Sequence, residues 1–130
     1  LLNEDSGGCV MKRRETGDAG EAFATELLRQ KGYEILKNNY YTPYGEIDII
    51  ASSGPYIVFV EVRTRKEGGL VTPAEYQDKT EKDRPLGLHY LVRTKCLLQP
   101  RFDVVEVFTS VQDGSILHAN HLENAFGPED

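Results

Sequence analysis

Residues 45–65, GEIDIIASSGPYIVFVEVRTR, restrict the fold more than any other part of the chain. Two runs of branched and aromatic residues flank Ser53-Gly54-Pro55, which predicts a β-hairpin. Side chains alternate across a strand. Ile47, Ile49 and Ala51 then share one face of the first strand, and Glu46, Asp48 and Ile50 the other. In the second strand Val58, Val60 and Val62 oppose Ile57, Phe59, Glu61 and Arg63. Both faces are apolar near the turn, so both are covered there, and charge begins where the cover ends. With the elements around it, in the order helix, three strands, helix, two strands, the hairpin points to an α/β or α+β sandwich with a mixed sheet.

A loop of four residues, Ser53–Tyr56, pairs Ser52 with Ile57 and therefore Asp48 with Glu61. Directly opposed residues lie roughly 5 Å apart at Cβ. Two carboxylates that close repel, and something positive belongs between them. Arg63 is one candidate. A divalent cation such as Mg²⁺ is the other, because it takes oxygen ligands and bridges to phosphate. Alternatively both acids are strand-end charges, with Glu61 paired to Arg63 or Arg65.

Around the hairpin the pattern is helix, three strands, helix, two strands. From Asp18 apolar residues recur at helical spacing, with Phe23, Ala24, Leu27 and Leu28 on one face and Gly32 as C-cap. Glu21 stands at the border of that face. Tyr33–Tyr41 reads as a strand. Thr72-Pro73-Ala74-Glu75 is a helix start with its capping box. Pro85 and Gly87 are expected to break that helix, with a second piece over 86–97. RFDVVEVFTS (101–110) is a strand of the main sheet, Asp113-Gly114 a hairpin turn, and SILHAN (115–120) the last strand.

Composition narrows the class. Hydrophobic residues make up 39% and charged residues 28% of 130, which suits one globular domain. The chain opens without a basic region followed by an apolar stretch, and Cys9 and Cys96 are far apart; reduced thiols and a cytoplasmic setting are expected. His89, His118 and His121 are too scattered for a metal motif. The net charge of −6 argues against a general nucleic-acid coat protein. Three basic clusters, Lys12-Arg13-Arg14, Arg63/Arg65/Lys66 and Lys82/Arg84, fit either a local phosphate-binding groove or a solvated surface.

GEID, twelve residues, then EVR resembles the motif of PD-(D/E)XK nucleases, with Arg63 where lysine is usual. GEAFATELLRQKGYEIL, NYYTPYGEIDIIA, FVEVRTR, PAEY, RFDVVEV and HLENAF together resemble the YraN family of predicted endonucleases, which are related to archaeal Holliday-junction resolvases. The resemblance implies a restriction-endonuclease-like core, a mixed central sheet flanked by helices. It implies one nuclease-like domain over residues 17–126; residues 1–16 are expected to be a disordered leader, since 1–10 have no periodicity and two adjacent glycines, and 127–130 a tail. It makes Asp48 and Glu61 ligands of Mg²⁺ or Mn²⁺, adds the carbonyl of Val62, and brings Glu21 to the same site. Glu46 is expected to support rather than ligate. Arg63 stays protonated, so it can hold phosphate or orient hydroxide but cannot act as a base. The implied function is metal-dependent hydrolysis of DNA phosphodiester bonds, branched DNA included, by a protein that suits a homodimer on a two-fold junction. The alternative is a non-catalytic nucleic-acid-binding or assembly protein that keeps the fold; the arginine, the interrupted helix and the acidity favour it.

Overall fold

The computed structural model describes residues 12–68 and 73–125. Residues 1–11 and 126–130 lie outside them, and with them most of the expected leader and the whole tail. The elements are α1 (Lys12–Gln30), β1 (Glu34–Thr42), β2 (Gly45–Ser53), β3 (Tyr56–Lys66), α2 (Pro73–Thr94), β4 (Gln99–Thr109) and β5 (Ile116–Leu122). The strands form one sheet in chain order. Only β3 and β4 run parallel. A parallel pair needs a long crossover, and α2 supplies it.

Each helix covers one face. Ala24 and Leu28 of α1 pack on Ile49, Ala51, Val58, Val60, Val105 and Val107. Leu86 of α2 packs with Tyr40, Ile50, Ile57 and Phe59 on the other face. Strand β3 is therefore central, and Ile57–Val60 are buried on both sides. The result is an α/β fold, a mixed sheet between helices, as the restriction-endonuclease-like expectation required. The hairpin register agrees from the Ser52–Ile57 pair to the Ile49–Val60 pair, where the ladder stops short of the expected Asp48–Glu61 pair.

Three local expectations fail, each for a physical reason. Helix α1 starts at Lys12, six residues before its apolar period begins. Helix α2 runs unbroken through Pro85. Pro85 is exposed, while the next two residues, Leu86 and Gly87, are buried. Gly87 is a contact point rather than a weakness: a Cβ there would sit 3.1 Å from the rings of Phe59 and Phe102. The helix ends at Thr94 because Lys95 turns left-handed, with φ 56°. Third, Ile47 does not share a face with Ile49. It packs with Ile50 under α2, while Ile49 lies under α1. Strand β1 switches faces at the same level, between Asn38 and Tyr40, the partners of Ile49 and Ile47. Asn39 takes φ 55°, which interrupts strand alternation. Asn38 and Asn39 both bond to α1 side chains, and Tyr40 turns to the α2 face.

A polar clasp closes the sheet edge. Asp103 of β4 is 1% exposed. It accepts from Arg101 Nε and Nη2, both at 2.9 Å, and from the Asn124 N–H at 2.9 Å. His121 Nε2 lies 2.7 Å from it, and His121 Nδ1 lies 2.6 Å from Lys31 Nζ. Lysine can only donate, so His121 accepts at Nδ1 and donates to Asp103 from Nε2. Arg101 also donates to the Tyr33 hydroxyl at 2.6 Å. Burial alone would raise the Asp103 carboxyl, but the bonds from His121, Arg101 and Asn124 outweigh it and hold the group below the usual aspartate range. Burial, with Asp103 second, pushes the Tyr33 hydroxyl up.

Candidate metal centre

Close packing of α1 onto β3 sets the first side chain. A Cβ on Gly20 would fall 2.6 Å from Thr64 Oγ1, so only glycine allows this approach. Glu21 follows directly. One turn later Thr25 Oγ1 donates to the Glu21 carbonyl at 2.8 Å and accepts from Asn38 Nδ2 at 3.1 Å, which ties the helix to β1.

Asn39 then gathers two acids. Its Nδ2 donates to Glu21 Oε2 at 3.0 Å and to Glu46 Oε2 at 2.7 Å, which uses both hydrogens of one amide. The left-handed backbone at Asn39 aims that amide at α1; without it, alternation would send Asn39 and Asn38 to opposite faces. Beyond the Ile49–Val60 pair, Asp48 Oδ2 accepts the Val62 N–H at 2.8 Å. Asp48 thus lies in the opening between β2 and β3. Glu21, Glu46 and Asp48, all half-buried, offer oxygens within 4.8 Å of one another.

A donor set made only of carboxylate oxygens suits a hard divalent cation, and not the nitrogen and sulfur preference of zinc. The three acids fit such an ion; they do not choose between Mg²⁺ and Mn²⁺.

Of the residues named from the sequence, the structure brings Glu21 and Asp48 together. Glu46, expected only to support them, is the third member. Val62 meets Asp48 through its N–H. Glu61 is not one of the three. Val60 and Val62 pack under α1, so Glu61 and Arg63 start from the α2 face of β3. Further along that face Arg65 pairs with Glu106 at 3.6 Å. The side chains of Lys12, Arg13, Arg14 and Lys82 lie outside what is described.

Sequence reasoning missed Asn39. Two adjacent amides inside a strand, KNNYY, were the available signal, since asparagine is poor in strands and tolerant of left-handed backbone.

Comparison with known proteins places this chain in a family. The model of Uncharacterised protein family UPF0102 matches residues 20–107. The chain belongs to the UPF0102 family. A UPF0102 protein of Caldicellulosiruptor saccharolyticus is 40% identical over 121 residues, 89% of this chain and all of the relative. One from Moorella thermoacetica is 46% identical over 107 residues, 80% of this chain and 89% of the relative. One from Porphyromonas gingivalis is 42% identical over 115 residues, 86% and 84% of the two chains. Family and YraN resemblance agree, while the family name carries no activity.

The stretch matched to UPF0102 contains Glu21, Asn39, Glu46, Asp48, Glu61 and Arg63. Beside the acids an open groove of about 420 Å³ is lined by Glu21, Thr25, Arg29, Asn38 and Asn39. Among the described residues no helix is long and apolar enough to cross a membrane.

Proposed function

We propose that this UPF0102 protein is a metal-dependent phosphodiesterase acting on nucleic acid, with DNA as its substrate. One observation carries the reading: three carboxylates from α1 and β2 converge at the point where the β2–β3 ladder opens. A hard cation held by Glu21, Glu46 and Asp48 would supply charge for the phosphoryl oxygens and acidify a water. The chain's own part is positioning. The Val62 N–H fixes one oxygen of Asp48, and Asn39 spaces Glu21 from Glu46. Glu61, which starts from the α2 face of β3, would join this set only by turning round the open end of the ladder toward Asp48. Arg63 stays charged and holds a phosphate oxygen through its fork of donors. Two copies of the protein would suit a substrate with two-fold symmetry.

A second reading has one observation behind it. Glu61 lies outside the group of three acids, which fits a protein that keeps the fold for binding or assembly without cutting. A cleavage screen over duplex, single-stranded, flap and four-way-junction DNA, in Mg²⁺ and in Mn²⁺, separates the two. The expected result is cleavage of at least one substrate, abolished in Asp48→Asn and reduced by roughly 100-fold or more in Glu61→Gln. Failure to bind Mn²⁺ by calorimetry, together with no cleavage of any substrate, would hand the protein to the second reading.

A further inference from the structure

The run Tyr40-Tyr41-Thr42-Pro43-Tyr44 holds three tyrosines with two different fates. Tyr40 belongs to the core. It is 7% exposed, its hydroxyl lies 2.8 Å from His89 Nδ1, and its ring stands edge-on to Tyr90. Tyr41 and Tyr44 face outward, 68% and 81% exposed. Packing in the core accounts for the first.

Their position gives them a use. Tyr41 is the cross-strand partner of Glu46, so both point from the same face. Such partners lie roughly 5 Å apart at Cβ, which puts the Tyr41 ring at the rim of the acidic centre. Tyr44 is four residues before Asp48, roughly 13 Å along the strand at about 3.3 Å per residue. That span is about four stacked nucleotides at 3.4 Å each.

The hairpin tip that presents them is fastened. Thr42 Oγ1 accepts the Tyr44 N–H at 3.0 Å and donates to the Gly45 carbonyl at 3.1 Å. Gly45 takes φ 151°, and a Cβ there would lie 3.2 Å from Leu86 Cδ1, so the tip is seated against α2. An aromatic side chain held outward on a fixed support loses little freedom when a flat partner stacks on it.

We infer that Tyr41 and Tyr44 form a base-stacking platform beside the metal centre, and that the substrate is nucleic acid with unpaired bases within about four nucleotides of the cut. The inference rests on the phosphodiesterase reading and narrows its substrate. In a continuous duplex both faces of each base are covered by neighbours. Only a flap, a junction or a single strand offers a base face to a tyrosine.

Binding tests this without cleavage. Labelled oligonucleotides, as single strand, flap and continuous duplex, are titrated with the native protein and with Tyr41→Ala, Tyr44→Ala, Tyr44→Phe and the double alanine variant. Ca²⁺ replaces Mg²⁺, and 2-aminopurine at each unpaired position reports stacking. The expected result is binding of single strand and flap weakened about five- to a hundred-fold in Tyr44→Ala and further in the double variant. Tyr44→Phe should bind like the native protein, duplex affinity should not move, and the 2-aminopurine signal should vanish with the alanines. Equal affinity of the native and double-alanine proteins for the flap, with unchanged melting temperature, would overturn the platform. If Asp48→Asn still abolishes cleavage in that case, the phosphodiesterase reading survives it. Tyrosine-dependent binding without Mn²⁺ binding or cleavage would do the reverse, leaving the platform and removing the phosphodiesterase.

Discussion

Asp48 and Asp103 stand on either side of β3, each a carboxylate in a strand rich in branched apolar residues. Their surroundings are opposite. Asp103 is ringed by donors: a guanidinium, an imidazole and a backbone N–H, all within 2.9 Å. Asp48 accepts the Val62 N–H, and two further carboxylates lie with it in the group of three. An acid among donors is finished as structure. An acid among acids could hold a cation. The two sites should respond to the same substitution in opposite ways, and that contrast can be attacked directly.

The largest effect belongs to Asp103. Its side chain is fully buried, and those of Arg101 and His121 are 12% and 3% exposed. Asp103→Ala strands a guanidinium and an imidazole in a closed space. Breaking a buried pair in this way costs about 3–5 kcal/mol. Urea unfolding should show that loss, and Mn²⁺ binding by whatever remains folded should be unchanged. A cost below about 1 kcal/mol would mean that the clasp is not holding β5 to the sheet.

Next comes the acid limb of stability. The Asp103 carboxyl is held below its ordinary value of 3.8, so the folded state binds its proton less readily than the unfolded chain. Its contribution is complete above about pH 4 and is lost as pH falls through the folded value, by about 1.4 kcal/mol per pH unit. The stability gap between the native protein and Asp103→Asn should therefore be constant from pH 7 to about 5 and narrow below pH 4. A gap that stays constant to pH 2.5 would place the effect of Asp103 in packing rather than charge.

The same contrast shows what a sequence can reveal. The hairpin was legible because its register follows from one turn, and the helices because their apolar period is local. The candidate site was legible only as types. Asp48 and Glu21 stood out, yet the strand faces around Asp48 did not, because the left-handed backbone at Asn39 resets the alternation of β1. Glu46 looked like support because its role depends on that reset. The Asp103 clasp was invisible for another reason. Its partners come from β5, the residues after it and the α1–β1 turn, with Tyr33 lying 68 residues from Arg101. No periodicity joins such residues; only an acid in a core strand hints that donors must exist.

Asn39 carries a smaller effect that divides backbone from side chain. Asn39→Gly keeps the left-handed conformation and removes the amide between Glu21 and Glu46. Asn39→Ala removes the amide and adds the left-handed penalty of roughly 1–2 kcal/mol. Both should weaken Mn²⁺ binding by about ten-fold, the usual effect of losing a group that orients a ligand. Only the alanine should lower the melting temperature clearly. If the glycine variant binds Mn²⁺ like the native protein, Asn39 shapes the strand and does not space the acids.

The smallest effect on the metal-free protein is expected at Asp48, and it discriminates most. In Asp48→Asn the amide oxygen can still accept the Val62 N–H. The new NH₂ group faces two carboxylates instead of adding a third negative charge to them. Relieved repulsion offsets the weaker bond from the Val62 N–H to a neutral acceptor, so metal-free stability should stay within about 0.5 kcal/mol of native or rise. With metal the outcome reverses. A ligand at a hundred times its dissociation constant stabilises the folded state by about 2.7 kcal/mol. The native melting temperature should climb in Mn²⁺, and that of Asp48→Asn should not. Were Asp48 a scaffold acid like Asp103, the variant would instead melt early without metal, and Mn²⁺ would move neither protein. Paired melts of the two proteins, with and without Mn²⁺, therefore decide whether the acids on the two sides of β3 are different in kind.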